Sequence, residues 1–290
     1  MNTDFFQLFT PVAQENEYLQ ELDGYYKTFS EMSQQEREFL NALILRHKPQ
    51  RLLEIGVSSG ASSVVMLNAI KNFGSAKLYS IDYCKKWYIY PKKNTGFVVE
   101  HYPQLKTEYN LYAGGMAYKF IEEISAEQKI DFAFIDAAHS LPGEILDVLM
   151  ILPFLSDDAI IVFHDTNLQV IDKDNVWIVN NLLISSLVGR KIWQGNFNKY
   201  NKIYFPNIAG VQFTEQSKGH IFELLNLLTL KWKYLLPREE VLELTEFFSK
   251  YYPIYFIEYF RQICDFQELM FNRKYTTKLK NICRHLWNFK

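Results

Sequence analysis

RLLEIGVSSGASSVV, residues 51–65, combines the features of a buried strand, a turn and the start of a helix. The stretch begins with a mostly apolar run, and Gly56 and Gly60 mark the turn that follows it. Beyond the turn, apolar residues recur at the 3.6-residue spacing of one helix face. This order is the first βα unit of a doubly wound sheet, in which ligands bind beyond the carboxyl ends of the strands. We therefore predict an α/β, Rossmann-like fold with a ligand site at residues 56–62.

The spacing within this turn narrows the choice of ligand. A dinucleotide fingerprint needs a glycine where Ser58 stands, and the strand carries an acidic residue, Glu54, just before the first glycine. A nucleoside triphosphate loop needs a lysine after its glycines, and the chain has none between Arg51 and Lys71. A carboxylate at this point would repel a pyrophosphate and suits a cationic ligand better. The sulfonium and amino-acid moiety of S-adenosylmethionine is the cationic candidate.

A family resemblance rests on four ordered segments, LLEIGVSSGASS (52–63), LYSIDY (78–83), IDFAFIDAAHS (130–140) and DDAIIVFHDT (157–166). Together they resemble the class I S-adenosylmethionine-dependent methyltransferases. The likeness is closest to the branch of small-molecule and sugar O-methyltransferases, the methyltransferase family 24 type, and covers roughly residues 35–215. It implies a doubly wound, seven-stranded, mostly parallel sheet with a helical C-terminal extension. Ser58 replaces the middle glycine of the family's turn, and its backbone and hydroxyl could still donate to the carboxylate of the cofactor.

The cofactor contacts are drawn partly from the residues and partly from this resemblance. The predicted second strand ends in Asp82, an acidic residue that can accept hydrogen bonds from both ribose hydroxyls, as in dinucleotide-binding folds. The resemblance implies that the turn after the first strand holds the methionine end, and that the turn after the third strand lies near the adenine. The predicted contacts with S-adenosylmethionine are Glu54, Gly56, Ser58, Gly60, Ser62, Asp82, Tyr83, Gly115, Met116 and Asp136.

Polar residues also follow the predicted fourth and fifth strands. Asp136 and His139 follow the fourth strand, and His164 and Asp165 follow the fifth. Because neighbouring parallel strands end at the same edge of a sheet, we expect these side chains to converge. Methyl transfer to a hydroxyl benefits from a base within hydrogen-bond reach of its proton. The resemblance makes His139 the first choice as base and His164 the second, with Asp165 as a further catalytic candidate.

The same branch implies a divalent metal, held by the aspartate after strand four and two acidic residues after strand five. Carried over by position, the predicted ligands are Asp136, His164 and Asp165. An imidazole in place of a carboxylate suits Mn²⁺, Fe²⁺ or Zn²⁺ better than Mg²⁺, which prefers oxygen ligands. Metal-dependent and metal-free catalysis both remain open at this stage.

The amino-acid composition further limits the class of protein and its location. The 290 residues are 48% hydrophobic and 22% charged, which excludes a disordered chain, and the net charge of −2 gives no case for nucleic-acid binding. The three cysteines, Cys84, Cys264 and Cys283, form no metal or disulfide framework and suggest free thiols in a reducing compartment. We find neither a signal peptide nor an apolar run long enough for a transmembrane helix. A cytoplasmic location is expected.

The chain divides into three predicted parts. Residues 1–32 form an N-terminal lid or interface segment, residues 33–215 form the cofactor-binding domain, and residues 216–290 form a helical C-terminal extension. Ser33 and Glu36 make a capping box that predicts the start of a helix. The last twenty residues are basic, and they favour a solvated amphipathic helix, with contact to a membrane surface or an acidic partner as the alternative.

The sequence thus predicts an S-adenosylmethionine-dependent O-methyltransferase that acts on a hydroxyl of a small molecule. A carbohydrate is the favoured acceptor from the resemblance alone. A different reaction on the same fold is one alternative. A catalytically silent module, binding a partner through the aromatic C-terminal half, is the other. The C-terminal extension would cover the site or mediate a homodimer.

Overall fold

The computed structural model describes residues 17–170, 177–193, 198–200 and 203–271. Within them lies a seven-stranded sheet of order β3-β2-β1-β4-β5-β9-β6, beside a separate two-stranded hairpin of β7 and β8. The predicted seven-stranded, doubly wound sheet is therefore confirmed. The strands are β1 (Arg51–Ile55), β2 (Lys77–Asp82), β3 (Tyr109–Ala113), β4 (Ile130–Ile135), β5 (Leu155–His164), β6 (Arg190–Trp193), β7 (Asn198–Tyr200), β8 (Ile203–Phe205) and β9 (Ile208–Gln212).

Helices cover both faces of this sheet. Capping of the third helix is as predicted, because the Ser33 side chain accepts from the Glu36 N–H while the Glu36 carboxylate accepts from the Ser33 N–H. The first four of the described helices pack on one face, and the last six pack on the other. The helices are α1 (Glu17–Gln20), α2 (Tyr25–Thr28), α3 (Gln34–His47), α4 (Ala61–Ile70), α5 (Ile121–Ile124), α6 (Gly143–Ile151), α7 (Val179–Ser186), α8 (Ile221–Leu227), α9 (Arg238–Tyr251) and α10 (Ile254–Phe271).

The register of the central strands places the site. Ile55 at the end of β1 lies beside Ile81 of β2 on one side and Ile135 of β4 on the other. Ile135 in turn lies beside Phe163 of β5. All four strands therefore end at the same level, and the polar residues that follow them meet at one edge. Every residue of β1 is buried, as expected for a central parallel strand.

The sequence also predicts an antiparallel pair of edge strands, 191–195 and 207–213, joined by a loop, with a helix over 97–105 and another that starts at 114–117. The antiparallel edge agrees with this prediction, and three local details differ. β9 pairs antiparallel with both β5 and β6, but the loop predicted between β6 and β9 contains the hairpin of β7 and β8. The helix predicted near residues 97–105 is a pair of 3₁₀ helices, because Pro103 starts a new turn. The helix predicted at 114–117 is reduced to a 3₁₀ turn, Ala117–Lys119, followed by the short α5.

The described part of the C-terminal extension packs on the domain. Pro237 and Pro253 directly precede α9 and α10. The buried side chains of Trp232, Phe248 and Phe260 belong to the same hydrophobic core as the sheet face covered by α6. The predicted basic tail helix lies outside the described residues. Among those residues, no helix is long and apolar enough to cross a membrane.

Candidate functional site

A cavity of about 680 Å³ opens at the carboxyl edge of the sheet. We call it the edge cavity. Its floor is formed by the turns after β1, β2, β3 and β4, and its outer wall by Phe29–Met32 and Tyr234–Pro237. Nine of the residues predicted as site residues line it: Gly56, Ser58, Ser62, Asp82, Tyr83, Gly115, Met116, Asp136 and His139.

The turn after β1 depends on glycine. Gly56 has φ of +90°, a left-handed conformation that side chains rarely adopt. A Cβ atom at this position would lie 1.9 Å from the carbonyl oxygen of Asp136. The turn and the end of β4 are therefore in direct backbone contact. This contact brings the turn after β1 next to the polar residues that follow β4.

Three other residues at the sheet edge have strained backbone. Among the described non-glycine residues, Ser58, His139 and Asp165 have φ of +52°, +51° and +55°, and the fourth such residue, Lys48, ends α3. Left-handed non-glycine residues cost free energy and cluster at binding and catalytic sites. Three of the four lie at the carboxyl edge of the sheet, which makes that edge the candidate for a functional site.

Asp82 organises the turn at which the cofactor is predicted to bind. One carboxylate oxygen, Oδ2, accepts hydrogen bonds from the N–H groups of Val57 and Ser58, at 2.9 and 3.0 Å. The other oxygen, Oδ1, accepts from the N–H of Cys84 at 2.7 Å. A carboxylate has about four acceptor positions, so Asp82 can still accept from a ligand hydroxyl in the cavity. It therefore links the turns after β1 and β2 in addition to its predicted ribose contact.

Glu54 lies beneath the cavity floor and does not line the edge cavity. Its two oxygens accept hydrogen bonds from the hydroxyls of Ser62, Ser63 and Ser80, at 2.5 to 2.6 Å. Complete burial raises the pKa of Glu54 to about 7, against the opposing effect of these three hydroxyls. Glu54 thus supports the turn and α4 from below, and any effect on the cofactor passes through Ser62.

We expect the substitution Glu54→Gln to weaken the pH dependence of stability. The folded protein keeps the Glu54 proton up to about pH 7, whereas the unfolded chain loses it near the ordinary value of 4.5. Ionisation therefore destabilises the fold as the pH rises from 4.5 to 7, by about 3 kcal/mol in total. Urea unfolding at pH 5 and pH 8 measures this, with the exposed Glu246→Gln as control. If the unfolding free energy of Glu54→Gln differs between pH 5 and pH 8 as much as that of the wild type, the raised pKa of Glu54 would be contradicted.

His139 lies between three carboxylates. Its Nε2 atom is 3.3 Å from Asp165 Oδ2 and 3.7 Å from Asp136 Oδ1, and its Nδ1 atom is 3.3 Å from Glu144 Oε1. The same oxygen of Glu144 accepts from the backbone N–H of His139. Burial opposes protonation of the ring, but the hydrogen bond to Glu144 and the charges of all three carboxylates outweigh it and raise the pKa of His139 to about 9.

His164 lies behind this group and is almost completely buried. Its Nδ1 atom is 3.1 Å from Asp136 Oδ1 and 3.5 Å from Asp165 Oδ2, and its Nε2 atom is 3.5 Å from Glu36 Oε2. Burial opposes the charged ring, but the adjacent aspartates raise the pKa of His164 well above its ordinary range. The resulting imidazolium lowers the pKa of Asp165, although burial of that carboxyl acts in the opposite direction. His164 therefore balances negative charge at the site.

The candidate metal ligands in the structure differ from the predicted set in one residue. Within the described part of the chain, the ligand atoms of Asp136, His139 and Asp165 all lie within 4.8 Å of one another. This group contains His139 beside the two predicted aspartates, whereas the predicted ligand His164 contacts the same aspartates from the buried side, with Nε2 facing Glu36. Two oxygens and one nitrogen at this spacing fit a divalent ion that accepts imidazole.

Aromatic residues close the outer side of the edge cavity. Trp87 Nε1 donates to Ser58 Oγ at 3.1 Å, and the Tyr88 hydroxyl donates to Glu31 at 2.5 Å. From the C-terminal extension, Glu240 accepts a hydrogen bond of 2.9 Å from the Tyr83 hydroxyl. Both the N-terminal segment and the C-terminal extension therefore contribute to the cavity wall.

Sequence reasoning located most, but not all, of the residues at this site. Glu54, Gly60, His164 and Asp165 are not on the cavity wall, although His164 and Asp165 contact the residues that are. Sequence analysis missed Glu144 entirely, and it assigned Glu36 only to the helix cap. The spacing of Glu144 to His139 offered a weak signal, since an acidic residue in the first turn of the helix after β4 is common for reasons of capping alone.

Comparison with known proteins agrees with the architecture. Residues 53–166 match the family described as a methyltransferase domain, whereas no curated protein gives a match. A Klebsiella pneumoniae protein provisionally named an O-methyltransferase is similar over 72% of this chain and 98% of its own, at 14% identity and a TM-score of 0.51. The O-methyltransferase TomG from Streptomyces achromogenes, solved with S-adenosylmethionine, is similar over 68% and 90%, at 15% identity and a TM-score of 0.48.

At 14% identity the Klebsiella structure bears on the fold alone, which it shares with this chain over 98% of its own length. The family match covers β1 to β5 and the turns that form the cavity floor. Over residues 53–166 the chain is thus similar to the methyltransferase domain, in agreement with the predicted resemblance to the class I S-adenosylmethionine-dependent methyltransferases.

Proposed function

We propose that the protein transfers the methyl group of S-adenosylmethionine to a hydroxyl of a small molecule. The observation that carries this proposal is that a single cavity contains both the cofactor turn and the imidazole of His139. Methyl transfer is an in-line displacement, so the acceptor oxygen must be held opposite the sulfonium. Alignment of this kind can contribute about 7–11 kcal/mol to lowering the barrier in favourable cases.

The cofactor lies across the cavity floor in this proposal. The turn of Gly56, Ser58 and Ser62 receives the methionine end, since all three residues line the cavity and the Ser58 hydroxyl, which accepts from Trp87, can still donate to a ligand. Asp82 accepts from the ribose hydroxyls with the acceptor positions that the backbone leaves free. Gly115 and Met116, on the wall after β3, receive the adenine.

His139 is the general base in this proposal. It lines the cavity, and Glu144 orients its ring through contacts with both Nδ1 and the backbone N–H. Nε2 then points to the aspartate side, where an acceptor hydroxyl can lie. Because the ring has a pKa of about 9, its base form is a minority at pH 7, and methyl transfer should become faster as the pH rises toward 9.

A divalent metal is the alternative to this base, because a ring nitrogen that binds a metal has no lone pair left to accept a proton. Asp136, His139 and Asp165 would hold it, and when bound it would lower the pKa of the acceptor hydroxyl. The chain's own residues already compensate part of the negative charge, since the buried His164 ring lies against both aspartates. Activity before and after chelation distinguishes the metal-dependent from the metal-free reaction.

The acceptor in this proposal is a hydroxylated small molecule, with a carbohydrate favoured by the family resemblance. Aromatic faces on the outer wall, including Phe29, Tyr83 and Tyr88, suit a sugar or phenol ring packed against them. The N-terminal segment to residue 32 and the extension from residue 216 act as covers over the domain 33–215. A cytoplasmic location and a homodimer formed through the extension remain predictions.

We expect calorimetry to show micromolar binding of S-adenosylhomocysteine to the purified protein. The substitution Asp82→Ala should weaken this binding by about 10- to 100-fold, since charge-assisted hydrogen bonds contribute about 1.5–3 kcal/mol. Asp158→Asn, at an exposed position of β5, is the matched control. No binding by the wild-type protein, or equal binding by Asp82→Ala, would contradict the proposal. Turnover with a panel of sugars and phenols then separates an enzyme from a silent binding module.

A further inference from the structure

Asp147 is a buried carboxyl group that faces the edge cavity from α6. Its side chain is among the residues that line the cavity, yet Asp147 is only 7% exposed. None of the described residues forms a hydrogen bond or ion pair with it. A buried polar group without a partner is costly, and native structures rarely keep one without a use. We therefore look for the hydrogen-bond partner of Asp147 in the ligand that occupies the cavity.

The position of Asp147 identifies which part of the ligand it faces. α6 packs against the 3₁₀ turn Ala117–Lys119, which directly follows Gly115 and Met116 on the cavity wall. The helix that carries Asp147 therefore borders the side of the cavity near β3. The cluster around His139 reaches the same helix through Glu144, three residues before Asp147. Asp147 thus faces the part of the cavity between the His139 cluster and the wall proposed for adenine.

The chemistry of Asp147 fits the edge of an adenine ring. Burial, reinforced by the charge of Glu144, raises the pKa of Asp147 well above its ordinary value, which favours the neutral acid. A neutral carboxyl group has one O–H donor and one carbonyl acceptor. Adenine presents the complementary pair on one edge, with N1 as acceptor and the 6-amino group as donor.

Tyr234 closes the same part of the cavity from the C-terminal extension. Its hydroxyl lies 3.1 Å from the place that a Cβ on Gly143 would occupy, so the phenol packs over the first turn of α6. Tyr234 also lines the cavity. A planar ring that reaches Asp147 is thereby enclosed and shielded from water, which strengthens hydrogen bonds to it.

We propose that Asp147 hydrogen-bonds N1 and the 6-amino group of the cofactor's adenine and makes the site selective for that amino group. The inference rests on the proposed function, since it assigns a residue to the same cofactor. Asp147 is on the helix after β4 rather than on the turn after β3 from which the adenine contacts were predicted. It would therefore add a specificity determinant that the family segments of the sequence did not indicate.

A thermodynamic cycle tests this assignment. Calorimetry compares S-adenosylhomocysteine with its analogue that has hydrogen in place of the 6-amino group, on the wild-type protein and on Asp147→Leu. We expect the wild type to bind the analogue about tenfold more weakly than S-adenosylhomocysteine. Asp147→Leu should bind the two ligands equally, and each about tenfold more weakly than the wild type binds S-adenosylhomocysteine. Asp147→Asn should keep the selectivity, because an amide also has a donor and an acceptor.

The possible results separate this inference from the proposed function. If the analogue without the 6-amino group binds more weakly than S-adenosylhomocysteine by the same factor in the wild type and in Asp147→Leu, the role of Asp147 is overturned. The methyltransferase proposal is then left intact. The same holds if Asp147→Leu changes only the KM of the acceptor. A wild-type protein that binds neither ligand would overturn both. Thermal unfolding of each variant, with Asp158→Asn as control, excludes misfolding as the cause of weak binding.

Discussion

Replacing His139 with asparagine is expected to lower kcat for methyl transfer by about 10²–10⁴-fold, the usual contribution of a positioned general base. The asparagine side chain can fill much of the space and can contact Glu144, but it cannot take a proton from the acceptor. Binding of S-adenosylhomocysteine should change by no more than about twofold, because the methionine turn and Asp82 are untouched. A loss confined to kcat identifies an interaction that is made in the transition state.

The control for this variant is His220→Asn. His220 is half exposed, pairs only with the exposed Glu223 among the described residues, and does not line the cavity. The assay follows S-adenosylhomocysteine release with the acceptor that turns over fastest in the panel of sugars and phenols. Full activity in His139→Asn would exclude this residue as the base. Activity that is lost but restored by added Mn²⁺ or Zn²⁺ would assign His139 to metal binding.

Substitution of Gly56 by alanine is expected to have the largest effect on the fold. The added Cβ would lie 1.9 Å from the carbonyl oxygen of Asp136, which is too close for either atom. The backbones of Gly56 and Asp136 are both held by strand pairing. The Gly56 N–H donates to Ile81 O and the Asp136 N–H donates to Ile55 O, each at 2.9 Å, so neither side can move without breaking the sheet edge. We expect a loss of about 3 kcal/mol or more in unfolding free energy.

Gly74→Ala is the matched control for this substitution. Gly74 also has a left-handed backbone, with φ of +69°, but a Cβ there would meet nothing within 4 Å. Gly74→Ala should therefore lose only the intrinsic cost of a left-handed alanine, about 1–2 kcal/mol of unfolding free energy. Urea unfolding of the two variants separates strain from overlap, and calorimetry shows whether Gly56→Ala still binds S-adenosylhomocysteine. Equal destabilisation by the two substitutions would mean that the backbone contact with Asp136 has no energetic weight.

The central sheet was predictable because its signals are local. Apolar runs that end in glycine or aspartate gave β1, β2 and β4 to within a residue or so, and the capping box fixed the start of α3. Where proline interrupts a helical pattern, as at Pro103, the same local reasoning overestimated the helix. The hairpin of β7 and β8 was missed, because three-residue strands give too short a pattern to recognise.

The electrostatic partners of the site were not predictable from local pattern. Glu36 forms the capping box that its spacing indicates, but its second contact, to His164, joins positions far apart in the sequence. Glu144 occupies a first helical turn, where acidic residues commonly stabilise the helix dipole. Only the left-handed turn at His139 brings the imidazole back onto that carboxylate. Such contacts depend on tertiary structure, which a single sequence does not reveal.

The outer wall of the edge cavity is built from segments that lie far apart in the sequence. The hydrogen bond from Tyr83 to Glu240 joins residues 157 positions apart, and Phe29–Met32 reach the same opening from the other end of the described chain. Contacts of such long range form only after extensive loop closure, which makes them slow to assemble. A fragment limited to the family segment 53–166 would contain the cofactor turn and His139 but neither outer wall. A finished binding site is therefore a property of the whole described chain, and it arises late, when both ends have docked.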